Sequence, residues 1–303
     1  MIQQLPHLTP EQSARVFAIA NEAAQIDGVN PLSEHVALHL RQGGDDHDSH
    51  FLATLEDTIV GYAHLDTSDA VEGPSAELVV APSARRNGIG KELLAHLINT
   101  APDRLRLWSH GDHASAEELS KTLGFVRTRR LLQMRRSLEL PLPQIKAPSN
   151  LNITAFSHRD IEEWLEVHAR SFSGHPEQGI WNKSDLEIRL AEPWFDPLGF
   201  FIARDETSKI VAFCWTKIHG NSISPIHGHQ TIGEIYVIGV DPQHGGRGYG
   251  KALVLQGLSY MRDRGLRTAM LYVESDNHPA LKLYQSLQFT EWAVDVMYRR
   301  VTS

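Results

Sequence analysis

The chain is written twice. Residues 80–91 (VAPSARRNGIGK) lie against residues 240–251 (VDPQHGGRGYGK) at a constant offset of 160. Val80, Pro82, Gly88, Gly90, Lys91 and Leu93 are answered by Val240, Pro242, Gly248, Gly250, Lys251 and Leu253. Farther on, Leu123, Gly124 and Phe125 are answered by Leu287, Gln288 and Phe289 at an offset of 164. Two copies of a unit of about 150 residues specify tandem domains, whereas a solenoid repeats more often, at about 20–50 residues. At 303 residues the chain is also too long for one ordinary core. The proline-rich stretch 139–150 (ELPLPQIKAPSN) reads as a semi-rigid extended linker. The expected domains are therefore 1–138 and 151–303.

Each half carries the same order of elements. In the first, Thr9 and Gln12 form a capping-box pattern that opens an amphipathic helix to about Gln25, with a second helix after Pro31. Strands are expected at 51–55, 59–65 and 77–81, then a helix over 88–98, a strand at 105–108, a helix over 114–123 and a strand over 125–134. The second half repeats this with helices at 159–171 and 184–190, strands at 199–203, 210–217 and 234–240, a helix over 248–264, a strand at 268–273, a helix over 278–287 and a strand over 289–298. Helices, several strands, then strand–helix–strand–helix–strand describe an α+β domain with helices on the faces of its sheet.

Charge and composition narrow the function. Lys plus Arg number 29 against 37 Asp plus Glu, a net charge of -8, so the basic excess of a general nucleic-acid binder is missing. No apolar run approaches the ~20 residues that cross a bilayer, and the N-terminus lacks a signal-peptide pattern, so a cytoplasmic protein is expected. The single cysteine, Cys214, sits in an apolar run and reads as a buried inert thiol. Seventeen histidines raise the question of a metal, most of all at 45–50 (DDHDSH) and 227–229 (HGH), but both read as polar, solvated loops, and no metal is expected.

The paired glycine turns carry the first chemical signal. Each follows a valine-rich strand and precedes a long helix, which aims free backbone N–H groups and the positive helix end at one point, an arrangement suited to a phosphate or pyrophosphate. Arg86 and Asn87, with Gly88, Ile89, Gly90 and Lys91, make the first turn; Gly245, Gly246, Arg247, Gly248, Tyr249, Gly250 and Lys251 make the second. A Walker loop would place Ser or Thr after the lysine, where Glu92 and Ala252 stand. A dinucleotide fold would place its turn after the first strand rather than the third.

Both halves resemble the Gcn5-related N-acetyltransferase superfamily, whose pattern of Arg or Gln, two residues, Gly, one residue, then Gly or Ala is met by Arg85, Gly88 and Gly90. The second copy departs from it with Gly245 in the leading position. The resemblance implies two tandem domains, each a mixed, mostly antiparallel sheet flanked by helices. It implies acetyl-CoA as co-substrate, with its pyrophosphate at the turn and its pantetheine arm along the preceding strand. On this chain that strand is Ile238, Gly239 and Val240 in the second half, and Leu78, Val79 and Val80 in the first. The start of the last helix, Asn277, His278, Pro279, Ala280, Leu281 and Lys282, is the other implied CoA contact.

Six further stretches, DGV at 27–29, HPEQG at 175–179, EPWFDP at 192–197, GEIYV at 233–237, YVESDN at 272–277 and YQSL at 284–287, resemble one family of that superfamily, mycothiol synthase, over nearly the whole chain. The resemblance implies acetylation of the cysteine α-amine of cysteinyl-glucosaminyl-inositol. By position alone Glu234 reads as a solvated strand-end carboxylate; the resemblance makes it the base, acting through an ordered water, with Tyr236 and Ile238 on its face by alternation. Tyr284 belongs to a Leu281, Tyr284, Leu287 helix stripe; the resemblance makes it the acid that protonates the departing thiolate. Glu34, Glu177, Lys217 and Tyr272 are implied substrate contacts, each also readable as surface charge or strand-face packing. At constant offset Pro74 and Ser120 replace Glu234 and Tyr284 in the first half, which is expected to hold acetyl-CoA without turning it over. Another amine acceptor, or an acyl-CoA sensor without activity, stays open, and the duplication favours a monomer.

Overall fold

The computed structural model describes residues 1–44, 46–69, 73–101, 103–143, 148, 150–174, 181–219 and 231–300. It divides into two compact units: Met1–Leu132 together with the chain from Ala293 onward, and Gln133–Trp292.

The first unit contains β1 (Ile2–Leu5), α1 (Pro10–Asp27), α2 (Glu34–Gln42), β2 (Asp48–Leu55), β3 (Thr58–Asp66), β4 (Ser75–Val80), α3 (Ile89–Thr100), β5 (Arg106–Ser109), α4 (Ala114–Thr122), the start of β6 (Phe125–Ser137) and most of the last strand, β12 (Thr290–Arg300). Its strands run in the order β1-β2-β3-β4-β5-β12. All neighbours are antiparallel except β4 and β5. The capping box is in place on α1, where Thr9 Oγ1 accepts from Gln12 N at 3.3 Å and Gln12 Oε1 accepts from Thr9 N at 2.9 Å, satisfying donors the first turn would otherwise leave bare. The apolar face of α1, Val16, Ile19, Ala20 and Ala23, closes over Leu52, Tyr62 and Val79 of the sheet.

The second unit contains the rest of β6, then β7 (Asn152–Ala155), α5 (Ile161–Ser171), α6 (Lys183–Leu190), β8 (Phe200–Arg204), β9 (Ile210–His219), β10 (Ile232–Val240), α7 (Tyr249–Asp263), β11 (Thr268–Glu274) and α8 (His278–Ser286). Its strand order is β7-β8-β9-β10-β11-β6, antiparallel from β7 to β10 and parallel between β10 and β11. The core is aromatic: Phe200 stacks between Phe156 and Trp215, each 4.4 Å away, and Trp164 meets Phe200 edge-on at 5.5 Å. Ring pairs of this kind add about 0.5–1.5 kcal/mol to the area they bury.

Several expectations need correction. The linker boundaries put 133–138 in the first domain and 293–303 in the second, but the packing exchanges these ends. Val296 and Met297 of β12 pair with Ser109 and Trp108, while Leu138 N donates to Arg267 O at 2.8 Å. The edge strands β1 and β7, of four residues each, have too little alternation to be legible. The helix expected from 159 starts as a 3-10 turn at His158–Asp160, and α5 begins at Ile161. The stretch read as a solvated loop at 45–50 is, from Asp48, the start of β2, with Asp48 and His50 buried. Residues 227–229 lie outside the described residues.

Candidate active site

In both units the third strand of the main meander is only half paired on its far side. Strand β4 pairs with β3 along its whole length, but with β5 only from Ser75 to Glu77. Strand β10 pairs with β9 from Ile232 to Val240, but with β11 only from Gly233 to Ile235. The ladders toward β5 and β11 thus stop before Leu78, Val79 and Val80 in one unit and before Ile238, Gly239 and Val240 in the other. A strand edge left free in this way offers backbone N–H and C=O groups to an extended ligand.

Each such strand runs into its glycine turn. Gly88 and Gly248 are the N-caps of α3 and α7, both with φ of 81°, a left-handed backbone that a Cβ would strain. Neither cap has a side-chain hydrogen bond, so the helix N-terminal amides stay available to an anion. Beyond the caps, Gly90 lies against Val80 and Leu119, and Gly250 against Val240 and Leu283. The turn is therefore built alike in both units, and in the second it meets α8. Arg86, Asn87, Lys91, Gly245, Gly246 and Arg247 are exposed or nearly so, and Ile89 and Lys251 are half-buried. Tyr249 turns into the core, where its hydroxyl accepts from Asn150 Nδ2 at 2.9 Å, which leaves only its backbone for a ligand. On α8, Asn277 caps the helix by accepting from Ala280 N. His278, Pro279 and Lys282 are exposed, and Ala280 and Leu281 are half-buried.

The second unit alone among the two main ladders places a bulge in this strand. Between Ile235 and Val237 the register slips, so Tyr236 is the extra residue, whereas β4 keeps continuous register with β3. Without the slip, Glu234 and Val237 would face opposite ways; with it, their partners are Lys217 and Trp215, two apart on β9 and so on one face. The expected alternation is therefore corrected: Glu234 shares its face with Tyr236, but Ile238, opposite Cys214, lies on the other. The constant-offset comparison is corrected too. The ladder counterpart of Glu234 is Ser75, opposite Asp66, rather than Pro74, and the acid is still missing there.

Glu234 is buried, and its Oε2 accepts from His219 Nε2 at 2.7 Å. Lys217 lies directly across the strand pair, its ammonium 4.4 Å from the Trp194 ring centre and 5.2 Å from that of Tyr236. Burial pulls the Lys217 pKa down to about 8, with Glu234 holding it up. Arg189 donates to the Tyr236 hydroxyl at 3.0 Å and lies 4.0 Å from the Trp181 ring centre, which fixes that side of the aromatic wall. His219 went unnoticed in the sequence, although alternation along β9 puts Trp215, Lys217 and His219 on one face.

Tyr284 is the buried residue of α8, edge-on to Phe289 at 5.9 Å. Burial drives its phenol well above the ordinary value, and the Cys214 thiol, itself buried, adds to that. The hydroxyl thus stays protonated. Tyr272 on β11 is exposed, and its hydroxyl accepts from Gln133 Nε2 at 2.7 Å. Glu34 opens α2 in the other unit, and Glu177 lies outside the described residues. In the first unit the acid nearest in sequence, Glu77, is closed off: it accepts from Ser33 N at 2.7 Å and lies 3.5 Å from His110, whose other nitrogen is 3.1 Å from Asp295.

The GNAT acetyltransferase family model matches residues 16–125 and 161–289, one copy in each half. A mycothiol acetyltransferase of Thermomonospora curvata is 48% identical over 96% of this chain and 95% of its own. One from Acidothermus cellulolyticus is 46% identical over 97% and 94%. Among solved structures, a tandem GNAT protein from the clavulanic acid biosynthesis pathway superposes with a TM-score of 0.75 over the whole of both chains at 16% identity, a likeness of fold alone. With both glycine turns, both half-paired strands and full-length relatives at this level of identity, the chain belongs to the mycothiol acetyltransferase family of tandem GNAT enzymes.

Proposed function

We propose that the second unit transfers the acetyl group of acetyl-CoA to the cysteine α-amine of cysteinyl-glucosaminyl-inositol, giving mycothiol and CoA. The observation that carries this reading is the bulge-placed Glu234, buried against His219 and facing Lys217 beside the free edge of β10. An α-amine with a pKa of about 8 is partly protonated at neutral pH and has to lose its proton to attack. Glu234 takes that proton through an ordered water, and His219 holds the carboxylate in place. The amine nitrogen then bonds to the thioester carbon as the C–S bond breaks, Tyr284 gives its phenolic proton to the departing sulfur, and the proton that the new amide nitrogen sheds passes through solvent to restore the phenol. Backbone groups of Ile238, Gly239 and Val240 hold the pantetheine arm. The turn from Gly245 to Lys251 and the start of α8, Asn277 to Lys282, hold the rest of CoA. Lys217 and Tyr272 contact the acceptor.

The first unit has the same half-paired strand, Leu78, Val79 and Val80, and the same turn, Arg86 to Lys91, with Ser75 and Ser120 where the acid and the phenol would stand. It holds acetyl-CoA without turning it over. The protein acts as a cytoplasmic monomer. Glu234→Gln and Tyr284→Phe, assayed by release of CoA thiol, test the roles: each lowers kcat by about 10²–10⁴-fold, the usual worth of a general acid or base. That loss of kcat in Glu234→Gln, with acetyl-CoA binding retained, supports the base. Wild-type rates in either variant remove that residue from the mechanism.

A further inference from the structure

Beneath α2 in the first unit, three elements bring imidazoles and carboxylates to one place. His35 and His39 are one helical turn apart on α2, Asp48 and His50 alternate onto one face of β2, and Tyr62, His64 and Asp66 onto one face of β3, with His50 directly opposite His64. At its centre the two Asp48 oxygens are shared between two rings: His39 Nδ1 at 2.5 Å from one and His64 Nε2 at 2.9 Å from the other. Asp48 and His64 are buried, while the His39 side chain is 21% exposed at the margin.

We propose that His39, Asp48 and His64 form a binding site for one divalent transition-metal ion of the zinc class. Among the described residues this is the one group of three His, Cys, Asp or Glu side chains whose ligand atoms all lie within 4.8 Å of one another. Zinc takes nitrogen at about 2.0–2.1 Å and carboxylate oxygen at about 2.0–2.2 Å, which sets tetrahedral ligand atoms some 3.3–3.5 Å apart. The three atoms reach that spacing by small side-chain rotations. Two imidazoles and one carboxylate match a borderline metal rather than calcium or magnesium, which take oxygen alone. Three protein ligands leave a position for water, reached from the His39 side.

Two further imidazoles pack against the two histidine rings. His35 stacks on His39 at 4.0 Å between ring centres while its Nε2 is 3.0 Å from Asp66. His50 lies 5.4 Å from His64 and engages the Tyr62 hydroxyl at 2.8 Å. Rings packed against His39 and His64 in this way limit the rotations open to them. The site is remote in sequence from Glu234 and Tyr284 and does not depend on the proposed acetyl transfer.

Tag-free full-length protein, stripped with chelator and dialysed against Zn²⁺ or Co²⁺, tests it by metal content, by the Co²⁺ absorption spectrum and by thermal melting. The expected result is one equivalent bound, a tetrahedral Co²⁺ spectrum and a higher Tm with Zn²⁺. Asp48→Asn abolishes these, and His39→Gln, at the partly exposed margin of the cluster, weakens binding by at least about tenfold, since loss of even an outer-shell partner costs about 10–100-fold. His96→Gln, an exposed histidine on α3, leaves binding unchanged. No bound metal in the wild type, or equal binding by His39→Gln, overturns the proposal and leaves a metal-free hydrogen-bonded cluster.

Discussion

Asp295→Asn, which exchanges one carboxylate oxygen for an amide nitrogen, should destabilise the first unit. Asp295 lies buried on β12, where one carboxylate oxygen accepts from Gly111 N at 3.0 Å and the other sits 3.1 Å from His110 Nδ1. Burial opposes the charge on His110, but Asp295 and Glu77 on either side hold its pKa well above the usual value. Glu77 still faces His110 in the variant, so the loss is that of one charge-assisted contact to a buried carboxylate, about 1.5–3 kcal/mol. For a unit of this size each kcal/mol moves Tm by about 2–4 °C, so the variant should melt about 3–12 °C lower. The pH dependence has a definite sign. Between the unfolded histidine pKa of about 6.5 and the raised folded value, the folded unit binds more protons than the unfolded chain, so stability from this pair is complete below about pH 6.5 and declines as the pH rises. Melting of wild type and variant from about pH 6 upward, followed by circular dichroism, should show the gap widest at the acid end and narrowing with pH. A gap below about 2 °C, or one independent of pH, would refute the reasoning.

Two further substitutions test local geometry. Gln288 occupies a left-handed backbone with φ of 66° where its counterpart Gly124 has φ of 81°; Gln288→Gly should stabilise the second unit by about 0.5–1 kcal/mol in urea unfolding, the relief of strain less the added chain entropy. Gly239→Ala would set a Cβ 2.5 Å from Phe213 Cζ and 3.0 Å from Ser171 Cβ. It should cost about 1–3 kcal/mol by overpacking and weaken acetyl-CoA binding along β10, both read from calorimetry.

What the sequence made legible follows from where its information is repeated. The two glycine turns stand out because each needs a left-handed glycine at one fixed place before a helix, and duplication presents the pattern twice. The bulge at Tyr236 was hidden because Ile235, Tyr236, Val237 and Ile238 form an unbroken apolar run, in which an inserted residue leaves no gap in polarity. It is that one residue that turns Glu234 toward Lys217, so the site's composition was readable while its facing was not. The exchange of chain ends was hidden for another reason: a proline-rich linker marks where the chain is extended, not which sheet a long strand joins. His39, Asp48 and His64 are spread over three elements, and a local reading of 45–50 saw polarity where pairing buries it.

The measurement that bears most directly on the central claim is product analysis by mass spectrometry after incubating the purified chain with acetyl-CoA and cysteinyl-glucosaminyl-inositol, beside free cysteine and glucosamine. The account predicts a single acetyl group on the cysteine nitrogen of the conjugate, one CoA released per acetyl transferred, and far slower reaction with either fragment. Binding of acetyl-CoA with no acetylation of the conjugate would contradict it.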